Sequence, residues 1–354
     1  MNQTNNMSSA PGRRPVPIVS PFIPRGARPQ TALPAIMTRT AAALAVFILL
    51  AVASLFAGVS DLTPGAVLAG DPAAINLLLT SRAPRTIAVV LAGGSVAIAG
   101  LIMQMLARNR FAEPSTSGTV DAASLGMLCA TLLLPDMPVI VKMMVAAAFA
   151  LAGAGLFMGV LARIPLSSPL VTPLVGLMLG NVIGAATSFI AYRYDLLQSL
   201  AAWSNGDFST ILRGRYELLW VAFALAALAW FTADRLTVAG LGRDFSVNLG
   251  LNYRRVLLFG LSIVAMVTAM VVTTVGMIPF LGLVAPNLAS LALGDNMRRA
   301  IPLTALLGAG LALACDLLGR LVNYPFEIPI GTIMGVIGSM LFLYLLLGKR
   351  FRAG

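Results

Sequence analysis

Apolar runs of spanning length recur along most of this chain, and they leave it few ways to fold. Residues 41–59 (AAALAVFILLAVASLFAGV) carry no charge and approach the roughly 20 apolar residues that a bilayer crossing requires. Such a segment satisfies its own backbone in hydrocarbon only as a helix. Only 10% of the 354 residues are charged and 58% are hydrophobic, with a mean hydropathy of +0.91. That is too little charge to cover a soluble domain of this length. The chain is expected to be all-α, a polytopic membrane helical bundle.

Ten spans are expected, over 39–59, 84–107, 118–134, 138–161, 168–191, 216–233, 254–275, 280–293, 300–319 and 330–348. The eighth is short and reads as broken by Gly282 and Pro286, which lipid tolerates only where neighbouring groups satisfy the freed backbone. Residues 1–37, rich in Pro, Ser, Asn and Arg without an apolar period, are expected to be a disordered cytoplasmic tail. The first apolar run reads as an uncleaved span rather than a secretory signal. Residues 38–349 then form one transmembrane domain with short loops and no solenoid repeat, and 350–354 a short C-terminal tail.

Charge supplies an orientation. With the N-terminus inside, the cytoplasmic segments hold 17 of the 24 Lys/Arg and the outer side holds seven, the bias expected for both termini in the cytoplasm. The net charge of +11 is scattered between apolar runs, without the interleaved aromatics of a nucleic-acid surface, so no nucleic-acid partner is expected. Cys129 and Cys315 lie inside apolar segments, without a CxxC partner, and are expected to pack as small hydrophobes. There is no histidine, which removes the commonest metal ligand and general base. No metal site or catalytic centre is expected.

Four constellations stand out. Residues 82–114 place Arg82 and Arg85 at the outer end of the second span, Gly93, Gly94 and Gly100 within it, and Arg108-Asn109 at the inner end. The glycines allow close helix approach; Gln104 either bonds a neighbouring helix or lines a substrate path. In the fifth span Gly176, Gly180 and Gly184 share one face, flanked by Asn181, Thr187 and Ser188. That face is either a packing seam or the wall of a pore. Between the sixth and seventh spans, Gly240, Gly242 and Gly250 would divide residues 233–256 into short helices joined by tight turns. In the ninth span Asp316 and Arg320 are four apart and can pair. Charges within a span are functional suspects.

These segments resemble the membrane permease subunit of ABC importers for iron-siderophore complexes and cobalamin. Arg82, Pro84, Arg85, Thr86, Gly100, Gln104, Arg108, Asn109, Ala112 and Pro114 fit that family's second span and inner turn. Leu241, Gly242, Leu249 and Gly250 fit its Leu-Gly-x-x-x-Ala-x-x-Leu-Gly pattern, with Ser246 in place of Ala. Gly276, Ile278, Phe280, Gly282, Leu283 and Pro286 continue the match, followed by Gly294-Asp295, Arg298, Pro302, Gly308, Asp316, Arg320, Glu327, Pro329, Gly331 and Gly338. Departures are Arg110-Phe111 for Pro-Leu, Asn287 for a Pro-His pair, Ser290 for Arg and Met340 for Pro.

The resemblance implies a type II importer permease fold and several roles. Arg82, Arg85 and Arg320 would receive acidic residues of an extracytoplasmic binding protein; the alternative for Arg82 and Arg85 is snorkelling to headgroups. Residues 236–252, with Leu241, Gly242, Arg243, Ser246, Leu249 and Gly250, would couple to a separate ATP-binding subunit. Gln104, Gly176, Gly180, Asn181 and Gly184 would line a path between two permease subunits, identical or not. No GxxxxGK[ST] phosphate loop occurs, and the only lysines are Lys142 and Lys349, so ATP and Mg belong to the partner chain and this chain binds no cofactor. The expected function is permease of a ferric-siderophore importer in the bacterial inner membrane, with a cobalamin or haem permease as the alternative. A proton-coupled transporter would need more intramembrane carboxylates than Asp316, and a membrane enzyme lacks a catalytic cluster.

Overall fold

A computed structural model describes residues 32–58, 63–161, 163–164, 171–294 and 296–347. The N-terminal tail through residue 31, Asp295 and the 350–354 tail lie outside the described residues. Residues 32–37, expected in the tail, instead open the first helix.

The described chain is a succession of helices: α1 (Ala32–Phe56), α2 (Pro64–Leu68), α3 (Pro72–Leu77), α4 (Ala83–Ala107), α5 (Thr119–Leu133), α6 (Val139–Leu161), α7 (Val171–Arg193) and α8 (Leu197–Ser204). Then follow α9 (Leu218–Phe231), α10 (Ala233–Gly240), α11 (Arg243–Asn248), α12 (Tyr253–Val275), α13 (Leu281–Leu293), α14 (Met297–Leu321) and α15 (Ile330–Leu347). Ten of them, α1, α4 to α7, α9 and α12 to α15, fall on the ten expected spans. Among the described residues six apolar helices are long enough to cross a membrane alone, and α9 reaches that length only together with α10, from which it is bent by 71°. The apolar stretches of α1, α5 and α13 are shorter.

The second span does not begin near Arg82. Helix continues upstream through a π turn, Leu78–Arg82, to Pro72, giving 36 residues without interruption. Pro84 has no N–H to offer the preceding turn, and a π turn is a usual response to such a defect. The Thr80 carbonyl, four residues back, accepts the Arg213 N–H at 3.2 Å instead. The eighth span is interrupted before Gly282 rather than at Gly282 and Pro286. The irregular stretch is residues 276–280, where Gly276 (φ 82°) and Phe280 (φ 61°) turn the chain into α13. Pro286 lies inside α13, and the turn before it is tied to its surroundings by side chains. The Leu283 carbonyl accepts Asn287 Nδ2 at 2.8 Å and Gln104 Nε2 at 3.3 Å.

α4 is the central post, buried along most of its length. Its glycines admit different neighbours. A Cβ at Gly93 would lie 2.9 Å from the Gly308 carbonyl oxygen on α14, and one at Gly100 would overlap the Gly282 carbonyl on α13. Small residues at crossings let backbones approach closely, the main source of packing attraction where lipid is as apolar as the helix. Cys315 is buried and Cys129 partly so, and neither is in a disulfide.

Candidate functional site

At one end of the bundle α1, α4 and α14 surround a charged cluster. Arg85 donates through Nη2 to Asp316 Oδ1 at 2.9 Å and through Nη1 to Glu327 Oε2 at 2.6 Å. Arg320 binds the other oxygen of Asp316, one turn away on α14, and its Nη1 reaches the carbonyls of Ser54 and Ala57 at 3.0 Å. Arg82 Nη1 reaches the Ala57 carbonyl at 2.6 Å. Ser54 and Thr86 join their hydroxyls at 2.9 Å, completing the tie between α1 and α4.

The three arginines expected to face a binding protein are therefore brought together, but inward: Arg82, Arg85 and Arg320 are 6%, 8% and 3% exposed. Asp316 and Glu327 neutralise two of the three charges. Arg213 and Arg215, near this end, are exposed. Asp316 has each oxygen engaged by a guanidinium, unlike a solitary carboxylate poised to carry protons.

At the opposite end α10 and α11 form the short-helix element read from the glycines. Gly242 (φ 112°) and Gly250 (φ 77°) flank α11 in conformations that favour glycine. Ser246 is wholly buried, and its hydroxyl donates to the carbonyls of Val238 at 3.0 Å and Gly242 at 2.6 Å, clamping α11 onto α10. The six expected coupling residues thus divide. Leu241, Arg243, Leu249 and Gly250 face outward, whereas Gly242 and Ser246 are internal. Phe245 joins the outward face, so Leu241, Phe245 and Leu249 are 57%, 52% and 59% exposed. Their spacing of four was a readable signal for Phe245.

The expected path residues divide too. Gly176 and Gly180 are buried and Gly184 partly buried; a Cβ at Gly180 would lie 2.6 Å from Asp121 Oδ2 on α5. At Gly180 and Gly184 the glycine face of α7 packs against Asp121 of α5. Asn181 is turned away from them, among exposed Leu177, Met178, Val182, Phe189 and Tyr192. Gln104 is buried and makes the interhelical hydrogen bond to Leu283.

Two motif departures meet in space. Asn287 Nδ2 donates to the Arg110 carbonyl at 3.0 Å, holding the inner turn after α4 against α13. Beside it, Phe111 packs edge-on against Phe342 with ring centroids 5.7 Å apart.

Residues 45–348 match the FecCD transport family. The petrobactin import system permease protein YclN of Bacillus subtilis (strain 168) is 48% identical over 86% of this chain and 96% of its own length. The petrobactin import system permease protein FatD of Bacillus anthracis is 39% identical, with 87% and 90% covered. The ferric-anguibactin transport system permease protein FatD of Vibrio anguillarum (strain ATCC 68554 / 775) is 36% identical, with 85% and 96% covered. A solved structure described as an inward-facing metal-chelate type ABC transporter superposes with a TM-score of 0.76 over 86% of this chain and 97% of its own, at 23% identity. That likeness gives the fold.

Proposed function

Because the chain belongs to the FecCD transport family, we propose that it is the membrane permease subunit of an ATP-binding-cassette importer that carries a ferric siderophore from an extracytoplasmic binding protein into the cytoplasm. The relatives named for petrobactin and ferric anguibactin support the cargo class. The observation that carries the mechanism is the exposed apolar set of Leu241, Phe245 and Leu249, the second on α11 and the other two just beyond its ends, on an element that Ser246 fixes to α10. An exposed apolar face on a braced element fits a protein partner. That partner would be the separate ATP-binding subunit, which uses ATP and Mg, while this chain makes and breaks no bond in the cargo.

The charge bias supports placing the α10–α11 end and both termini in the cytoplasm of a bacterial inner membrane. The outward face of α7, with Asn181 and Val182, would meet a second permease subunit, identical or a sister chain, around the cargo path. Arg82, Arg85 and Arg320 would serve the binding protein indirectly, by fixing the surface it meets.

The test pairs copurification with uptake. The permease is coexpressed with the ATP-binding subunit as wild type and as Leu241→Asp/Leu249→Asp, and 55Fe uptake is followed with ferric petrobactin and with labelled cobalamin. Retention of the ATPase by wild type alone, with iron uptake, supports the reading. Cobalamin uptake without iron uptake would replace the cargo, and absence of any ATPase from the wild-type complex would overturn the importer.

A further inference from the structure

A half-open cavity of about 1060 Å³ lies between α4, α6 and α12, on the inward side of α11. It is larger than the roughly 300–1,000 Å³ usual for a small-molecule pocket. Its depth is apolar, with Leu151, Ala154, Met158, Leu257, Leu261 and Ala265 among its walls. Its mouth is basic: Arg108, Arg243 and Arg254 all line it and all are exposed. None of the residues lining it is acidic, and none of the three arginines is ion-paired among the described residues.

Length and charge together select the occupant. From Tyr253 at the mouth to Ala265 at the floor is twelve residues of α12, about 18 Å at ~1.5 Å per residue. One leaflet of a hydrocarbon core about 30 Å thick is about 15 Å deep. A groove one leaflet deep, apolar inside and cationic at the headgroup level, matches the two parts of a phospholipid with a negative headgroup. A free anion would leave the apolar depth unfilled, and a peptide at that depth would strand backbone groups without partners.

We propose that this groove binds an anionic phospholipid, its phosphate between Arg108, Arg243 and Arg254 and an acyl chain along α6 and α12. The site adjoins the coupling element directly. A Cβ at Gly242 would lie 3.0 Å from Arg108 Nη1, and Arg243, Val247 and Leu251 line the cavity from the α11 side. A bound lipid therefore braces α11 from beneath, with the Leu241, Phe245 and Leu249 stripe left open to a protein. The site requires only that this end face a leaflet containing anionic lipid, so its failure would leave the importer reading intact.

The purified full chain is titrated with phosphatidylglycerol, phosphatidylcholine or inorganic phosphate and read by native mass spectrometry. Two variants accompany wild type: Arg108→Asn/Arg254→Gln, in which Asn tolerates the left-handed conformation of Arg108 (φ 51°), and Gly155→Phe. Gly155 lines the cavity, and a Cβ there meets nothing within 4 Å, so the ring can enter the groove without disturbing the helix. Wild type is expected to hold phosphatidylglycerol at least tenfold better than phosphatidylcholine. The arginine variant should lose that preference, and Gly155→Phe should lose the tightly held lipid with its arginines intact. Equal retention of the two lipids by wild type, an unchanged preference in the arginine variant, or displacement of lipid by inorganic phosphate would each overturn the proposal.

Discussion

Arg85 on α4 and Asp316 on α14 are 231 positions apart in sequence and 2.9 Å apart in space. Asp316 also binds Arg320, so one carboxylate holds two guanidiniums that share almost no solvent. Removing one partner of a buried pair leaves an uncompensated charge, a loss of roughly 3–5 kcal/mol. Asp316→Asn should lower the midpoint of thermal unfolding in detergent by several degrees. Asp316→Asn/Arg320→Met, which also removes an orphaned cation, should recover part of that loss. Equal destabilisation in the two variants would show that the cluster does not act as a charge unit.

The glycine crossings predict a contrast between positions of the same residue type. Gly100→Ala drives a methyl into the Gly282 carbonyl, and backbone cannot swing aside as a flexible side chain would. Overpacking usually costs about 1–3 kcal/mol, and α4 at the centre of the bundle has little room to shift. Gly159→Ala, where a Cβ meets nothing within 4 Å, should be neutral. Yield and monodispersity after extraction measure both.

Much of this arrangement was legible in the residues and some was not. The ten helices followed from apolar run lengths, the Asp316–Arg320 pair from a spacing of four, and the short helices α10 and α11 from their glycines. Periodicity says which residues share a face but not what that face meets. That is why Gly180 and Gly184 of α7 proved to face Asp121, with Asn181 turned away from them and exposed. The partner of Arg85 was invisible because nothing local links α4 to α14. The helix upstream of Arg82 was hidden because Pro84 reads as a start, when the chain instead passes it with a π turn. Phe245 was missed although it completes the stripe of Leu241 and Leu249.

The coupling element should separate binding from folding. Phe245 and Leu249 are more than half exposed, so Phe245→Asp and Leu249→Asp should leave thermal stability unchanged. Each should weaken retention of the ATP-binding subunit at least tenfold, about 1.4 kcal/mol and within the range of interface anchors. Ser246→Ala should behave in the reverse sense, lowering stability by about 1 kcal/mol through loss of its hydrogen bonds to Val238 and Gly242. Pull-down and melting curves on the three variants decide it; lost binding in Ser246→Ala at unchanged stability would place Ser246 on the docking surface.

Gln104 decides between a structural bond and a wall of the cargo path. Its Nε2 shares the Leu283 carbonyl with Asn287, in the turn before Pro286. Interhelical hydrogen bonds of this kind in membrane proteins average about 0.6 kcal/mol, and Asn287 remains to serve the same carbonyl. Gln104→Met, similar in length and flexible enough to fill the space, should therefore cost under about 1 kcal/mol and leave ferric-siderophore uptake close to wild type. Asn287→Leu should cost more, because it also frees the Arg110 carbonyl and loosens the turn after α4. Uptake lost in Gln104→Met at unchanged stability would assign Gln104 to the path instead.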